Sequence, residues 1–105
     1  PVEDMMFLFE KLRNNKNYNE LEKYKDVSSD LVKDILQEAA KINQNLILPL
    51  AKSGDENPAV LENGIVRTPD SFKLAFEKLR DGGWLSLDIE AEFGGQNLPI
   101  ILSTV

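Results

Sequence analysis

Two adjacent rows of apolar side chains at helical spacing run through residues 28–47, and this wide apolar arc constrains the fold more than any other feature. The rows are Leu31, Ile35, Ala39, Ile42 and Leu46, and Val32, Leu36, Ala40 and Ile47. A helix with such a wide apolar arc packs between neighbouring elements rather than on one surface. The segment therefore predicts the central helix of a small helical bundle, with Ser28 or Ser29 as N-cap and Asp30 in the first turn.

Residues 1–27 predict short helices. Asp4 is expected to cap a first helix that has one apolar face. This face consists of Met5, Leu8, Phe9 and Leu12. A brief second helix is expected after Asn19, with Leu21 and Tyr24 turned inward.

The middle of the chain predicts a break followed by a hairpin. Pro49 disfavours helical geometry at the preceding residue, although a helix is able to continue past it with a kink. Residues 52–58 are rich in residues that disfavour helices and predict a surface loop. Residues 60–66 predict a β-hairpin, because Asn63 and Gly64 permit the two positive φ angles of a type I′ turn.

A further amphipathic helix is predicted from about Pro69 to Asp81, with Thr68 as N-cap and Gly82 as the positive-φ residue at its end. One face of this helix consists of Phe72, Ala75, Phe76 and Leu79. Aromatic residues at helical spacing usually pack in a core, so this face is interpreted as core rather than as the wall of a ligand pocket.

Residues 84–98 show no clean periodicity, which predicts a connection that is either functional or held in place by its own side chains. The side chains expected to hold it are Trp84, Leu85, Leu87, Ile89 and Phe93. Neither Gly82-Gly83 nor Gly94-Gly95 has the spacing of a phosphate-binding loop, so turn formation is favoured over nucleotide binding.

The residue types present exclude several kinds of chemistry. The 105 residues contain no cysteine and no histidine, which removes disulfides, thiolate nucleophiles, histidine bases and the usual transition-metal ligands. The remaining acid–base groups are carboxylates on predicted solvated faces, so neither a catalytic residue nor a metal site is predicted. The net charge of −6 disfavours nucleic-acid binding. No apolar run approaches the ~20 residues of a membrane span, and no secretion signal is visible, so a soluble cytoplasmic domain is expected.

Two motifs, residues 82–87 (Gly-Gly-Trp-Leu-Ser-Leu) and 92–99 (Glu-Phe-Gly-Gly-Gln-Asn-Leu-Pro), resemble the N-terminal helical domain of the acyl-CoA dehydrogenases. Residues 1–7 are similar to the short N-terminal extension of the methylthiopropionoyl-CoA dehydrogenase-like subgroup. Residues 36–50 are similar to the subgroup's first long helix, and residues 61–69 to its short hairpin. The matches cover nearly the whole chain in the family's order, which makes the resemblance specific.

The resemblance implies a mainly α fold, a bundle of about four to five helices with one short hairpin. It divides the chain into an N-terminal extension, residues 1–27, and a helical domain, residues 28–105, truncated at its C-terminal end. The family oxidises the Cα–Cβ bond of acyl-CoA thioesters with FAD, and its FAD-binding β domain and catalytic glutamate lie in parts that this chain lacks. No catalytic, cofactor-binding or metal-binding residue is therefore expected here, and the complete enzyme is expected to be a homo-oligomer.

The resemblance also implies roles for particular residues near the C-terminus. The last helix is expected to continue toward the acyl-chain cavity and to contribute to the wall of the substrate cleft. The wall residues are Leu98, Ile101, Leu102 and Val105. The residues expected to shape the turns are Gly82, Gly83, Trp84, Phe93, Gly94, Gly95 and Pro99.

Two other functions stay open. A stand-alone helical interaction module would recruit a partner through the apolar residues 100–105. A small acyl-ligand carrier would hold an acyl chain between helices without catalysis, and saturable acyl-CoA binding in the absence of flavin would favour it.

Overall fold

The computed structural model describes residues 1–12 and 19–104. The described residues are mainly helical with one antiparallel hairpin, which confirms the predicted fold class. They form two compact units, Pro1–Ala40 with Leu85–Val105 (the first unit) and Lys41–Trp84 (the second unit).

Most of the regular structure is α-helical. The helices are α1 (Val2–Phe7), α2 (Ser29–Ile42), α3 (Leu48–Glu56), α4 (Asp70–Asp81) and α5 (Ile100–Thr104), and the strands are β1 (Val60–Glu62) and β2 (Ile65–Arg67). Single π-helical turns follow α1 at Leu8–Leu12 and α2 at Asn43–Ile47. Short 3-10 turns lie at Glu22–Tyr24, Trp84–Ser86 and Ala91–Phe93.

The first helix begins earlier than predicted and buries only part of the predicted face, including Phe9. Asp4 lies inside the first turn of α1 rather than at its N-cap, where its charge still complements the helix dipole. Met6 and Phe9 are buried, whereas Leu8 is exposed, so the prediction for Leu8 is wrong. The π-helical turn that starts at Leu8 bonds i to i+5 and thereby shifts the phase of the side chains. The side chain of Leu12, predicted for the same face, lies outside what the structure describes.

The helix predicted after Asn19 is a single 3-10 turn, Glu22–Tyr24. Tyr24 is half-buried, but Leu21 is exposed, which corrects its predicted inward position. Leu21 has extended backbone angles ahead of the turn, so its side chain does not share a helical face with Tyr24. Val27 is buried instead.

The first unit contains a compact apolar core. The second of the two predicted rows supplies the buried side chains of α2, since Val32 and Leu36 are buried while Leu31 is exposed and Ile35 is half-buried. The other buried apolar residues of this unit are Met6, Phe9, Val27, Leu87, Leu98, Pro99 and Leu102.

Ser28 caps α2. The Leu31 backbone N–H donates to Ser28 Oγ at 3.1 Å, whereas the Ser29 hydroxyl donates to a Glu10 carboxylate oxygen at 2.6 Å. We expect Ser28→Ala to lower the free energy of unfolding by about 1 kcal/mol, because it leaves a helical N–H without its side-chain acceptor. Ser29→Ala, which removes only an exposed side-chain contact, should lower it less. Urea denaturation of both variants tests the assignment, and a larger loss for Ser29→Ala would contradict it.

The chain remains helical where the sequence predicts a surface loop. Pro49 lies in the first turn of α3, directly after the π-helical turn Asn43–Ile47, and the helical path that starts in α2 continues past it. The helix then continues to Glu56, so the predicted loop at 52–58 is wrong over most of its length. Gly54 lies within α3 against Phe72, and a Cβ at this position would lie 2.5 Å from Phe72 Cζ. The glycine therefore permits close approach of the aromatic ring.

The hairpin forms as predicted. Leu61 pairs with Val66, and the turn residues Asn63 and Gly64 have φ angles of 51° and 79°, as a type I′ turn requires. All residues of both strands are exposed. Arg67 Nε lies 2.9 Å from Glu62 Oε2 across the strands.

The first residue of α4 differs from the prediction by one position, whereas the predicted last residue, Asp81, is confirmed. The helix begins at Asp70 with Pro69 at the N-cap, where the expected Thr68 cap does not form. It ends at Asp81, and Gly82 has a φ of −79°. The positive-φ residue is Gly83, at 74°.

Candidate functional site

The connection in residues 85–99 is held by its backbone more than by the predicted side chains. Leu98, Asn97 and Gln96 donate backbone N–H groups to the carbonyl oxygens of Leu87, Ile89 and Ser86 at 2.8, 2.9 and 3.0 Å. Of the five side chains expected to hold the connection, all of which the structure describes, Leu87 alone is buried. Trp84 is half-buried, and Leu85, Ile89 and Phe93 are exposed, which corrects the prediction for these residues.

The second glycine pair has two separate roles. Gly94 follows the 3-10 turn with a φ of 84°, a left-handed conformation that glycine adopts without a Cβ clash. Gly95 lies against the backbone of Ile89, and an added Cβ would overlap the Ile89 carbonyl group. The pair therefore reverses the chain and brings it into direct backbone contact with the preceding segment.

Neither glycine pair fits a flavin diphosphate. The backbone N–H groups of Gly82 and Gly83 donate to the carbonyl oxygens of Lys78 and Arg80, both at 3.0 Å. Those of Gly94 and Gly95 donate to Ala91 and Glu90 at 3.0 and 3.1 Å. An anion site at a glycine turn requires several such donors to converge on the ligand. Because these donors are used within the chain, we assign no cofactor contact to either pair.

The residues expected on the cleft wall lie mostly in the core of the first unit. Leu98 and Leu102 are buried, Ile101 is half-buried, and Val105 lies outside the described residues. Pro99, expected at the turn, is also buried. Ile100 is the exposed apolar residue at the start of α5.

The described carboxylates do not form an acid–base or metal site. No charged residue is buried in the described ranges, and they contain no cluster of three acidic residues able to hold a metal ion. A backbone hydrogen bond and the Lys23 ammonium, 3.1 Å away, lower the pKa of Glu90. A lowered pKa makes a carboxylate a weaker general base near neutral pH.

None of the helices in residues 1–12 and 19–104 is long and apolar enough to span a membrane.

An open apolar groove of about 700 Å³ lies in the second unit. Ile47, Leu50 and Ala51 line one part, and α4 contributes Phe72, Phe76 and Leu79. Ala75, which also lines the groove, is buried, whereas Phe72 and Phe76 are exposed. The face predicted as core is therefore the wall of an open groove. The sequence pattern did not reveal this site, because an aromatic row has the same spacing whether or not its own chain covers it.

Two known proteins are similar to the chain over nearly its whole length. No family model matches the chain. The chain is 36% identical over 102 residues to the 3-methylmercaptopropionyl-CoA dehydrogenase of Ruegeria pomeroyi, a match that covers 97% of the chain and 17% of that protein. It is 31% identical over 101 residues to the broad-specificity linear acyl-CoA dehydrogenase FadE5 of Mycobacterium tuberculosis, covering 93% of the chain and 16% of that protein.

The chain thus spans less than a fifth of the length of the curated relatives it matches, at 17% and 16%. The predicted resemblance is confirmed, since both matches extend over nearly the whole chain and both relatives are acyl-CoA dehydrogenases. By sequence, nearly the whole of this chain is similar to a short segment of two acyl-CoA dehydrogenases.

Proposed function

We propose that this chain is the N-terminal helical domain of an FAD-dependent enzyme that introduces a double bond between Cα and Cβ of acyl-CoA thioesters. Residues 1–27 would form an N-terminal extension and residues 28–105 the domain itself. The observation that carries the proposal is the match of 97% of the chain to 17% of a 3-methylmercaptopropionyl-CoA dehydrogenase. Such a match leaves the FAD-binding β domain and the catalytic glutamate to other parts of the polypeptide.

The chemistry of the described residues supports a structural contribution to that enzyme. The carboxylates are exposed or half-buried, and the backbone donors of both glycine pairs are used internally. The domain would wall part of the acyl cavity through the segment that includes Ile101 and would take part in subunit packing of a homo-oligomer. A cytoplasmic location, favoured by the absence of cysteine, belongs to the same proposal.

Exposed apolar side chains give a second line of support. In the first unit, Phe93 and Ile100 are 74% and 70% exposed. Large apolar side chains at this exposure often mark surfaces that another domain or subunit covers. This agrees with a domain built for assembly into a larger protein.

The test compares the full-length gene product with the 105-residue chain. The full-length protein is expected to purify with bound flavin, and anaerobic addition of acyl-CoA is expected to bleach the flavin absorbance. The 105-residue chain is expected to bind neither FAD nor acyl-CoA in calorimetric titrations, because the proposal assigns the flavin site and the catalytic glutamate to other parts of the polypeptide. A full-length protein without flavin would contradict the proposal, and saturable acyl-CoA binding by the short chain would favour the carrier alternative.

A further inference from the structure

The second unit does not build a core of its own from the described residues. Ala75 is its one buried apolar residue among those described, and the rest of the buried core belongs to the first unit. Its exposed large apolar residues are Leu48, Val60, Leu61, Ile65, Val66, Phe72, Leu74 and Phe76. Because a short segment that buries so little apolar area is only marginally stable, this surface requires cover from beyond the described residues.

The groove has the shape that helix packing uses. Phe72, Phe76 and Leu79 follow i, i+4, i+7 spacing on α4, and the facing residues of the groove come from the helical segment at 47–51. Side chains in rows of this kind form the ridges and grooves into which the ridge of a third helix packs. Small-molecule pockets enclose most of their ligand, whereas this groove is largely open to solvent.

The charge of the residues that line the groove indicates which kind of helix binds there. Lys73 is the charged residue among those that line the groove, and it forms no ion pair with any residue the structure describes. A second copy of the chain docked groove to groove would bring two Lys73 side chains into the same apolar interface without a lining carboxylate. Such a pairing of like charges is unfavourable, which argues for a different helix that carries an acidic residue.

We propose that this groove is the docking site for an amphipathic α-helix from the remainder of the same enzyme polypeptide, with an Asp or Glu of that helix paired with Lys73. The inference rests on the proposed function, because the relatives contain far more chain than the 17% that this segment matches. The docked helix would cover Phe72, Phe76 and Leu79 and would complete the core of the second unit.

Zero-length carbodiimide crosslinking of the full-length protein tests the ion pair. We expect a link from Lys73 to an Asp or Glu beyond residue 105, and Lys73→Arg should abolish it while keeping the charge. A link from Lys73 to Glu77, one turn away on α4, is expected within the same helix and does not bear on the proposal. When subunits of light and heavy isotope-labelled protein are mixed and reassembled before crosslinking, the expected link joins only peptides of the same label. Links that join a light peptide to a heavy peptide would indicate a second copy and overturn the proposal. The absence of any link from Lys73 other than the one to Glu77 would also overturn it.

A matched pair of cysteine variants of the full-length protein tests whether another part of the polypeptide covers the groove, independently of the ion pair. Phe76 and Leu74 are 55% and 56% exposed, but only Phe76 lines the groove. We expect the thiol of Phe76→Cys to react with maleimide at least about 10-fold more slowly than that of Leu74→Cys, because its reaction requires local opening. Equal rates would overturn the proposal. Flavin absorbance of the same preparations tests the proposed function separately. If the thiol of Phe76→Cys is protected but the protein contains no flavin, the proposed enzyme function is rejected while the docking proposal stands.

Discussion

Replacing Gly95 with alanine is expected to lower the free energy of unfolding by about 3 kcal/mol or more. The added methyl group would overlap the carbonyl group and Cβ of Ile89, so the backbone has to move. That movement would disturb the hydrogen bonds from Gly95 N–H to Glu90 O and from Asn97 N–H to Ile89 O. Urea denaturation followed by circular dichroism measures the loss, and faster amide exchange at Gln96, Asn97 and Leu98 would locate it.

Gly94→Ala is the matched control for this variant. No atom lies within 4 Å of a Cβ at Gly94, but its φ of +84° disfavours an L side chain. The expected loss is about 1 kcal/mol, the conformational cost of a left-handed residue. If both substitutions destabilise the chain equally, close backbone packing at Gly95 is not the dominant constraint.

Replacing Leu36 with alanine is expected to lower the free energy of unfolding by about 3 kcal/mol. Leu36 is 4% exposed in the core of the first unit, so truncation removes buried apolar contacts and leaves a cavity. Thermal and urea unfolding of the variant measure the loss. The effect should appear in the cooperative unfolding of the chain, without a change in the helix boundaries.

Leu31→Ala tests which apolar row of α2 supplies the core. Leu31 is on the same helix but is 39% exposed, so its truncation should lower stability by about 1 kcal/mol or less. A larger loss at Leu31 than at Leu36 would contradict the observed burial. In the full-length protein, a larger loss of stability for Leu31→Ala would indicate that another part of the polypeptide covers this row.

Features that depend on neighbouring residues were predictable from the sequence. Asn63 and Gly64 predicted the hairpin because the two φ angles of a type I′ turn suit these residues. The sequence limited the N-cap of α2 to Ser28 or Ser29, since only residues next to the first turn of a helix are able to cap it. The family was recognisable because the glycine motifs and the hairpin occur in a fixed order along the chain.

Features that depend on distant residues were predicted poorly. The helix through 52–56 forms in a segment rich in helix-disfavouring residues, where Gly54 makes room for Phe72 of α4. The positive φ angle predicted for Gly82 occurs at Gly83 instead, although α4 ends at Asp81 as predicted. The groove was missed since burial of Phe76 depends on which partner covers it.

The sequence by itself determined the helical class, the hairpin turn, the two candidate caps of α2 and the resemblance to the acyl-CoA dehydrogenases, because backbone propensity and motif order are local or linear properties. Only the tertiary structure decided that Val32 and Leu36 form the buried row, that Gly95 contacts the Ile89 backbone and that the α4 aromatics line an open groove. Burial and close approach are set by contacts between residues far apart in the chain, and periodicity records which faces are apolar without recording what covers them.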